Sequence, residues 1–403
     1  MPNIAVVTTT INVPHFLEDY CKDFKIHNHT DVIFIIIGDK KTPDEAKSYC
    51  ERLAERYEYA VEYYDVTQQR SYLAGFPELD AYLPYNSVQR RNIGMVRAYE
   101  LGVSSVLTVD DDNYLLEPDL LKYHLAVGEK RTLRSFRTST GWFNPCQFLT
   151  ATPNVRYFHR GFPMSERGNS HVSVTESLET GRVVTNVGLW LGDPDVDAWV
   201  RMTLPLEAVQ WTQEENFTLS PGTWAPFNSQ QTTIARELLP AYFLNPQAGR
   251  YDDIWGSFII HRLAEHFGDI VSFGHPIVNH LQKRTLKSLW RDLDDERMGV
   301  LLTDEFVRML RSTEFSAKSY ATAYVELADA LDEQIKRLAG LGESQAEFLL
   351  EYVRGMRMWS TTMQRIGNSD GLRRLPSSDR PRVSAVSPRS VEERPCSFQS
   401  GQS

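Results

Sequence analysis

Three consecutive carboxylates, Asp110-Asp111-Asp112, follow the apolar, β-branched run Val106-Leu107-Thr108-Val109. If the chain stays extended, Asp110 and Asp112 point to one side and Asp111 to the other. Two carboxylates about 4–5 Å apart at an effective dielectric near 20 repel by roughly 3–4 kcal/mol. A hard divalent cation with oxygen ligands is the natural counterweight. Asp110 and Asp112 are therefore expected as metal ligands, with Asp111 beside a diphosphate. The alternative is an acidic cap, with Asp112 or Asn113 opening a helix near residues 117–127. His280, after Gly274-His275-Pro276-Ile277-Val278-Asn279, would complete the metal site through one ring nitrogen. A histidine alone is more often structural; its partnership with the aspartates makes the ligand reading competitive.

Four other groups carry chemistry. In Asn86-Ser87-Val88-Gln89-Arg90-Arg91-Asn92-Ile93-Gly94, Arg90 or Arg91 is expected to reach a diphosphate, because the guanidinium fork binds phosphate oxygens in a bidentate way. Gly94 would let that helix approach the sheet. Asp39 in Gly38-Asp39-Lys40-Lys41, and Thr8 at the end of the first β-branched run, stand where a nucleotide is held. Arg160 and Arg167 lie seven residues apart across a Gly-Phe-Pro turn. Asp252 and Asp253, in Arg250-Tyr251-Asp252-Asp253-Ile254-Trp255, open a helix and offer either capping or sugar-hydroxyl and proton-transfer chemistry.

These residues need a frame. Ile4 to Thr10, Asp31 to Ile37 and Ser105 to Val109 read as strands; Pro14 to Phe24, Pro43 to Tyr57 and Asn86 to Leu101 read as helices between them. Alternation of this kind predicts an α/β fold with a mostly parallel sheet and helices on both faces, and ligands beyond the carboxyl ends of its strands. Residues 136–250 are less regular, suiting loops and mixed strands that build a pocket. Ile254 to Phe267 reads as a helix and Ile270 to Phe273 as a short final strand. A catalytic domain over 1–282 is expected, then a helical segment over 283–366 and a disordered tail over 367–403 rich in Ser, Pro and Arg. The helical segment would pack on its own domain or form a seam in a homo-oligomer.

Composition narrows the partners. With 403 residues and a net charge of -10, nucleic acid and anionic membranes are disfavoured. No apolar run approaches bilayer length, and no signal core follows Met1, so a cytoplasmic protein is expected. The four cysteines have neither CxxC nor ladder spacing.

Taken in order, Asp110-Asp111-Asp112, Arg160-Gly161-Phe162-Pro163 with Arg167, Gly188-Leu189-Trp190-Leu191 with Pro194-Asp195, and Arg250-Tyr251-Asp252-Asp253 with Trp255 resemble the reversibly glycosylated polypeptide family over roughly residues 80–285. The resemblance implies a GT-A-like fold, a GDP- or UDP-linked sugar as ligand, Mn2+ or Mg2+, and no flavin. Its plant members are UDP-arabinopyranose mutases. In these the first arginine of the turn motif is reversibly glycosylated, a role that falls on Arg160, with Arg167 in support. Asn113 stands where plant members usually carry cysteine, and the first two strands look closer to a related group of glycosyltransferases. An actinobacterial branch acting on GDP-L-galactose, in antibiotic biosynthesis, is the particular expectation. The rival expectations are a glycosyltransferase using a separate acceptor and a non-catalytic sugar-nucleotide-binding scaffold. A nucleotidyltransferase is disfavoured by the lack of a Gly-rich loop after the first strand.

Overall fold

The β-branched runs form adjacent strands in one half of a twelve-stranded mixed sheet. A computed structural model describes residues 3–282, 284–338 and 340–369. In chain order the strands are β1 (Ile4–Thr9), β2 (Val32–Ile37), β3 (Ala60–Tyr64), β4 (Ser105–Val109), β5 (Asn113–Leu115) and β6 (Lys130–Thr138). They continue with β7 (Leu149–Thr152), β8 (Val174–Gly192), β9 (Glu207–Trp211), β10 (Phe217–Leu219), β11 (Gln231–Ala235) and β12 (Ile270–His280).

The parallel part is β3-β2-β1-β4, whose strands are linked by helices. Beyond β4 the order is β11-β8-β6-β10-β12-β5, and antiparallel pairings predominate. The sheet is therefore α/β and mixed, wholly parallel over β3-β2-β1-β4 and with the parallel pairs β6–β10 and β8–β12 among the antiparallel ones beyond. Burial explains the division. Every residue of β2 and β4 is buried, as expected where helices cover both faces, whereas β8 starts exposed and becomes buried only towards its end.

Two boundary expectations change. The stretch 86–101 is a 3-10 turn, Val88–Arg90, followed by an α-helix, Arg91–Leu101, ended by Gly102 in the left-handed conformation. Gly94 lies so close to β1 that a Cβ there would sit 2.4 Å from Val7 Cγ1. The helix considered for 117–127 is only Leu121–His124, and Asn113 enters β5. The triple aspartate therefore does not cap a helix. Strand β12 runs through to His280, seven residues beyond the expected end, because it pairs with both β8 and β5.

Helices Leu286–Ser312, Tyr320–Arg337 and Glu343–Ser369 pack into the same apolar core as helix Asp252–Phe267. Their buried stripe includes Phe306, Tyr324, Leu327, Leu331, Tyr352 and Met356. Trp255 stacks on Phe306 at 4.2 Å and donates its indole N–H to Thr303. Trp359 stacks on Phe243 and donates to the Leu239 carbonyl. Gly367–Ser369 belong to the last helix rather than to the expected tail; residues 370–403 lie outside the described residues. No helix among the described residues is long and apolar enough to cross a membrane.

Candidate active site

The carboxyl ends of β1, β2 and β4 open into a cavity of about 330 Å³. Thr9, Thr10, Asp39, Arg91, Asp110, Asp111, Asp112, Arg160, Asp195, Asp252, Asp253 and His280 all line it. Residues separated by more than 200 positions thus meet at one place.

After β4 the chain turns instead of staying extended. The Asn113 N–H donates to the Asp110 carbonyl at 3.3 Å, and the three carboxylates diverge around the turn. Asp110 receives Arg91 Nη2. Asp111 accepts from Thr10 Oγ1 at 2.6 Å and Asn12 Nδ2 at 3.2 Å. Burial, with the Asp112 charge adding to it, still raises the Asp111 pKa. Asp112 lies 3.5 Å from His280 Nε2, and its Oδ1 is buried with no hydrogen-bond partner among the described residues. Asn113, the residue that departs from the plant pattern, pins the turn by a paired contact with Gln230 (Nδ2 to the carbonyl at 2.7 Å, Oδ1 from Nε2 at 3.1 Å).

The cross-strand register puts His280 opposite Asn113. Its Nδ1 faces the Asp193 carbonyl, which can only accept, so Nδ1 carries the proton and Nε2 is directed towards Asp112. Burial opposes a charge on this ring, but the hydrogen bond to Asp112 outweighs it and raises the pKa. Among the described residues no three His, Cys, Asp or Glu side chains form a ready metal cage. The donor set nevertheless fits a hard cation held by one or two protein groups and completed by phosphate oxygens. Asp112, with its orphaned oxygen, and His280 are the donors available, whereas one Asp110 oxygen is engaged by Arg91.

Arg160 sits in the opposite wall. Its Nε and Nη2 donate to the two Asp195 oxygens at 2.9 and 3.0 Å, and Nη1 and Nη2 reach Asp253 at 3.1 and 3.4 Å. Nη1 also donates to the Arg250 carbonyl. Burial disfavours its charge, yet Asp195 and Asp253 outweigh that and hold the Arg160 pKa well above normal. In turn Asp195, despite burial, is held well below the usual carboxylate range by Arg160. Gly161 makes the turn: its φ is 78°, and a Cβ there would lie 2.2 Å from Ile254 Cγ2. Asp253 also accepts from Ser229 N at 3.0 Å. Asp252 accepts from Gln89 Nε2 at 2.7 Å and from the Asp253 N–H at 2.8 Å. Burial and then the Asp253 charge push its pKa up to about 7.

Three expectations are corrected by this geometry. Arg90 does not face the cavity: its Nε donates to Gln69 at 2.6 Å, and its guanidinium lies 4.1 Å from the Tyr85 ring centre. The change from 3-10 turn to α-helix at this point sends Arg90 and Arg91 in different directions. Arg91 does reach the cavity, but there its Nη groups are engaged by Asp110 and Ser229 and its Nε is buried without a partner among the described residues. Thr8 is buried, with its hydroxyl bonded back to the Thr9 carbonyl, and Thr9 and Thr10 take its place at the cavity. Arg167 supports the turn from behind, donating to the Phe162 carbonyl at 2.7 and 3.0 Å and pairing with Asp197 at 2.6 Å. Asp39 does line the cavity, where its carboxylate accepts from Lys40 N and Ser87 N.

Sequence reasoning named no role for Asp195, Arg250, Arg284 or Arg291, which also line the cavity. The Pro194-Asp195 and Arg250-Tyr251 strings were a signal for the first two. Arg284 and Arg291 carry no local motif and arrive with the helix Leu286–Ser312.

Residues 147–363, more than half of the chain, match the family described as reversibly glycosylated polypeptide. The chain belongs to that family. The match takes in Arg160, Asp195, Asp252 and Asp253 and, unlike the resemblance read from motifs, continues through most of the carboxyl-terminal helices. UDP-arabinopyranose mutase 3 of Arabidopsis thaliana is 24% identical over 222 residues, 53% of this chain and 56% of its own length. UDP-arabinopyranose mutase 1 of the same plant is 24% identical over 259 residues, covering 62% and 67%. A probable UDP-arabinopyranose mutase 1 of Zea mays is 29% identical over 184 residues, covering 43% and 46%. The chain thus spans between about half and two thirds of the length of these curated relatives. Among solved structures, the mannosyltransferase PcManGT from Pyrobaculum calidifontis, in complex with GDP-Man and Mn2+, overlaps 92% of this chain and 87% of its own at 11% identity, with a TM-score of 0.34.

Proposed function

We propose that this family member is a flavin-independent mutase that interconverts the pyranose and furanose forms of a nucleotide-linked sugar. GDP-L-galactose is the first donor to test and UDP-arabinopyranose the second. The observation that carries the reading is Arg160, clamped between Asp195 and Asp253 in the wall of the cavity that also holds the acidic turn. The UDP-arabinopyranose mutases among its relatives support it.

Arg160 is charged at rest, so a guanidinium nitrogen becomes nucleophilic only after losing a proton. Asp253, within hydrogen-bond reach, accepts that proton as the Nη–C1 bond forms and the C1–O bond to the diphosphate breaks. The bonding pair leaves with the diphosphate oxygen. Asp112 and His280 would hold a Mn2+ or Mg2+ ion, which when bound neutralises the charge on that departing group. Ring opening moves a second Nη proton to the ring oxygen. Closure through a different hydroxyl returns one proton to nitrogen. Attack by the diphosphate oxygen on C1 then frees Arg160, which recovers its first proton from Asp253. Asp195 stays ionised throughout and fixes the other edge of the guanidinium. Asp252, with its pKa near neutrality, relays protons to and from the sugar hydroxyls.

Each candidate donor, incubated with the protein and Mn2+ or Mg2+ but no acceptor, tests the reading. A new isomer of identical mass is expected. Nucleotide release that requires an added acceptor would assign glycosyl transfer instead. Arg160→Lys keeps a cation between the carboxylates but loses the bidentate fork. It is expected to lower turnover by at least about 10²-fold while GDP or UDP binding by calorimetry persists; near-normal turnover would remove Arg160 from the mechanism.

A further inference from the structure

We propose that Arg284 and Arg250, anchored on two buried carboxylates of the helix Leu286–Ser312, form the binding site for the substrate diphosphate. This rests on the reading of the ligand as a sugar nucleotide.

The charge ledger of the cavity leads there. Arg160 is consumed by Asp195, Asp253 and the Arg250 carbonyl. Both Nη groups of Arg91 are engaged, by Asp110 and Ser229, leaving only its buried Nε without a partner among the described residues, and Arg90 does not line the cavity. Among the described residues, a diphosphate entering next to Asp110, Asp111 and Asp112 therefore finds no arginine Nη without a partner on the wall built by the first half of the chain. The other wall differs. Glu296 accepts from Arg250 Nε at 2.9 Å and from the Ala198 N–H at 2.7 Å. Asp292, four residues earlier and on the same helical face, pairs with Arg284 Nη1 and lies 3.8 Å from Arg250 Nη1.

Two carboxylates hold each arginine from behind, Glu296 and Asp292 for Arg250 and Asp292 and Asp193 (3.6 Å from Nε) for Arg284. The Nη2 of each makes no hydrogen bond among the described residues of the cavity that both line. Arg284 Nε is buried and has no hydrogen-bond partner among the described residues. Burial and the nearby Arg201 and Arg250 charges also depress the Arg284 pKa to about 10. Cations crowded in this way gain stability from a bound anion. Arg284 follows His280 by four residues, so the end of β12 delivers a cation ligand and a phosphate ligand to one cavity.

The test is calorimetric and independent of turnover. Wild-type protein and Arg284→Gln are titrated, with Mg2+, against GDP and UDP and against GMP and UMP. Expected is a tenfold or greater loss of affinity for the diphosphates and a change below twofold for the monophosphates. Arg284→Lys, which keeps the charge, should recover part of the loss. Equal weakening for both classes of nucleotide, or unchanged diphosphate affinity, would overturn the proposal. If Arg284→Gln does not fold, the same comparison on Arg250→Lys decides, with the same two outcomes. Diphosphate-selective loss in a protein that forms no isomer would leave this site standing and remove the mutase reading. Isomer formation with Arg284→Gln binding unchanged would do the reverse.

Discussion

At Asp252, burial and the Asp253 charge shift the carboxyl pKa to about 7, so its protonation changes within the working range of an enzyme. A proton acceptor of this kind is lost as the pH falls below its pKa. The rate on the proposed mutase assay is therefore expected to decline below about pH 7, and Asp252→Asn to remove that limb while lowering kcat by about 10²–10⁴-fold. A limb that persists in Asp252→Asn would assign it to another group. The residues involved were legible to different degrees. Asp110, Asp112, Arg160, Asp252 and Asp253 announce themselves because each stands in a short string of chemically matched neighbours. The choice between Arg90 and Arg91 was not legible, because it depends on where a 3-10 turn becomes an α-helix. Asp195 lay in a recognised string, but its role needs Arg160, 35 residues away, to be seen beside it.

Elements explain why the site needs the carboxyl-terminal helices. Helix Leu286–Ser312 crosses the turn that carries Arg250 and Tyr251 so closely that a Cβ on Gly299 would lie 2.2 Å from the Tyr251 ring. Tyr251 donates to Asp197 at 3.0 Å, and Asp197 in turn accepts from Gly161 N and pairs with Arg167. Gly299→Ala therefore pushes on the Arg160 turn through three named contacts. We expect a loss of about 1–3 kcal/mol in urea unfolding, the usual cost of overpacking, together with lower turnover. Unchanged stability and turnover would show that the helix can move away without disturbing the site. The strands β1, β2 and β4 were readable because strands covered on both faces are apolar throughout. Strand β8 was not, since its nineteen residues pass from an exposed ribbon to the buried sheet centre and carry no single periodicity. The amphipathic stripe of the last two helices was visible, but the side of the cavity that Arg284 and Arg291 would serve was not.

At the scale of the whole molecule, buried titratable groups set opposing slopes of stability against pH. His261 lies between the rings of Trp224 and Phe273, donates Nε2–H to the Ala225 carbonyl, and has Arg311 as a charged neighbour. Burial lowers its pKa to about 3, and burial alone does the same to His124. Between that value and 6.5 the unfolded chain binds more protons than the folded one, so stability falls as the pH drops, by up to about 1.4 kcal/mol per pH unit for each histidine. Asp252 works the other way, because its raised pKa makes the folded state the better proton binder between 3.8 and about 7. His275 acts with the same sign as Asp252. Burial disfavours its charge, but the hydrogen bond to Glu117, at 2.7 Å from Nδ1, raises its pKa, and the resulting stability is lost as the pH rises through it. Because these slopes overlap, only a substitution separates them. His261→Gln removes one buried imidazole, so urea unfolding should show its slope between pH 6 and 4.5 reduced by about 1 kcal/mol per pH unit relative to wild type. Parallel slopes for the two proteins would mean that the ring takes up its proton without leaving the core.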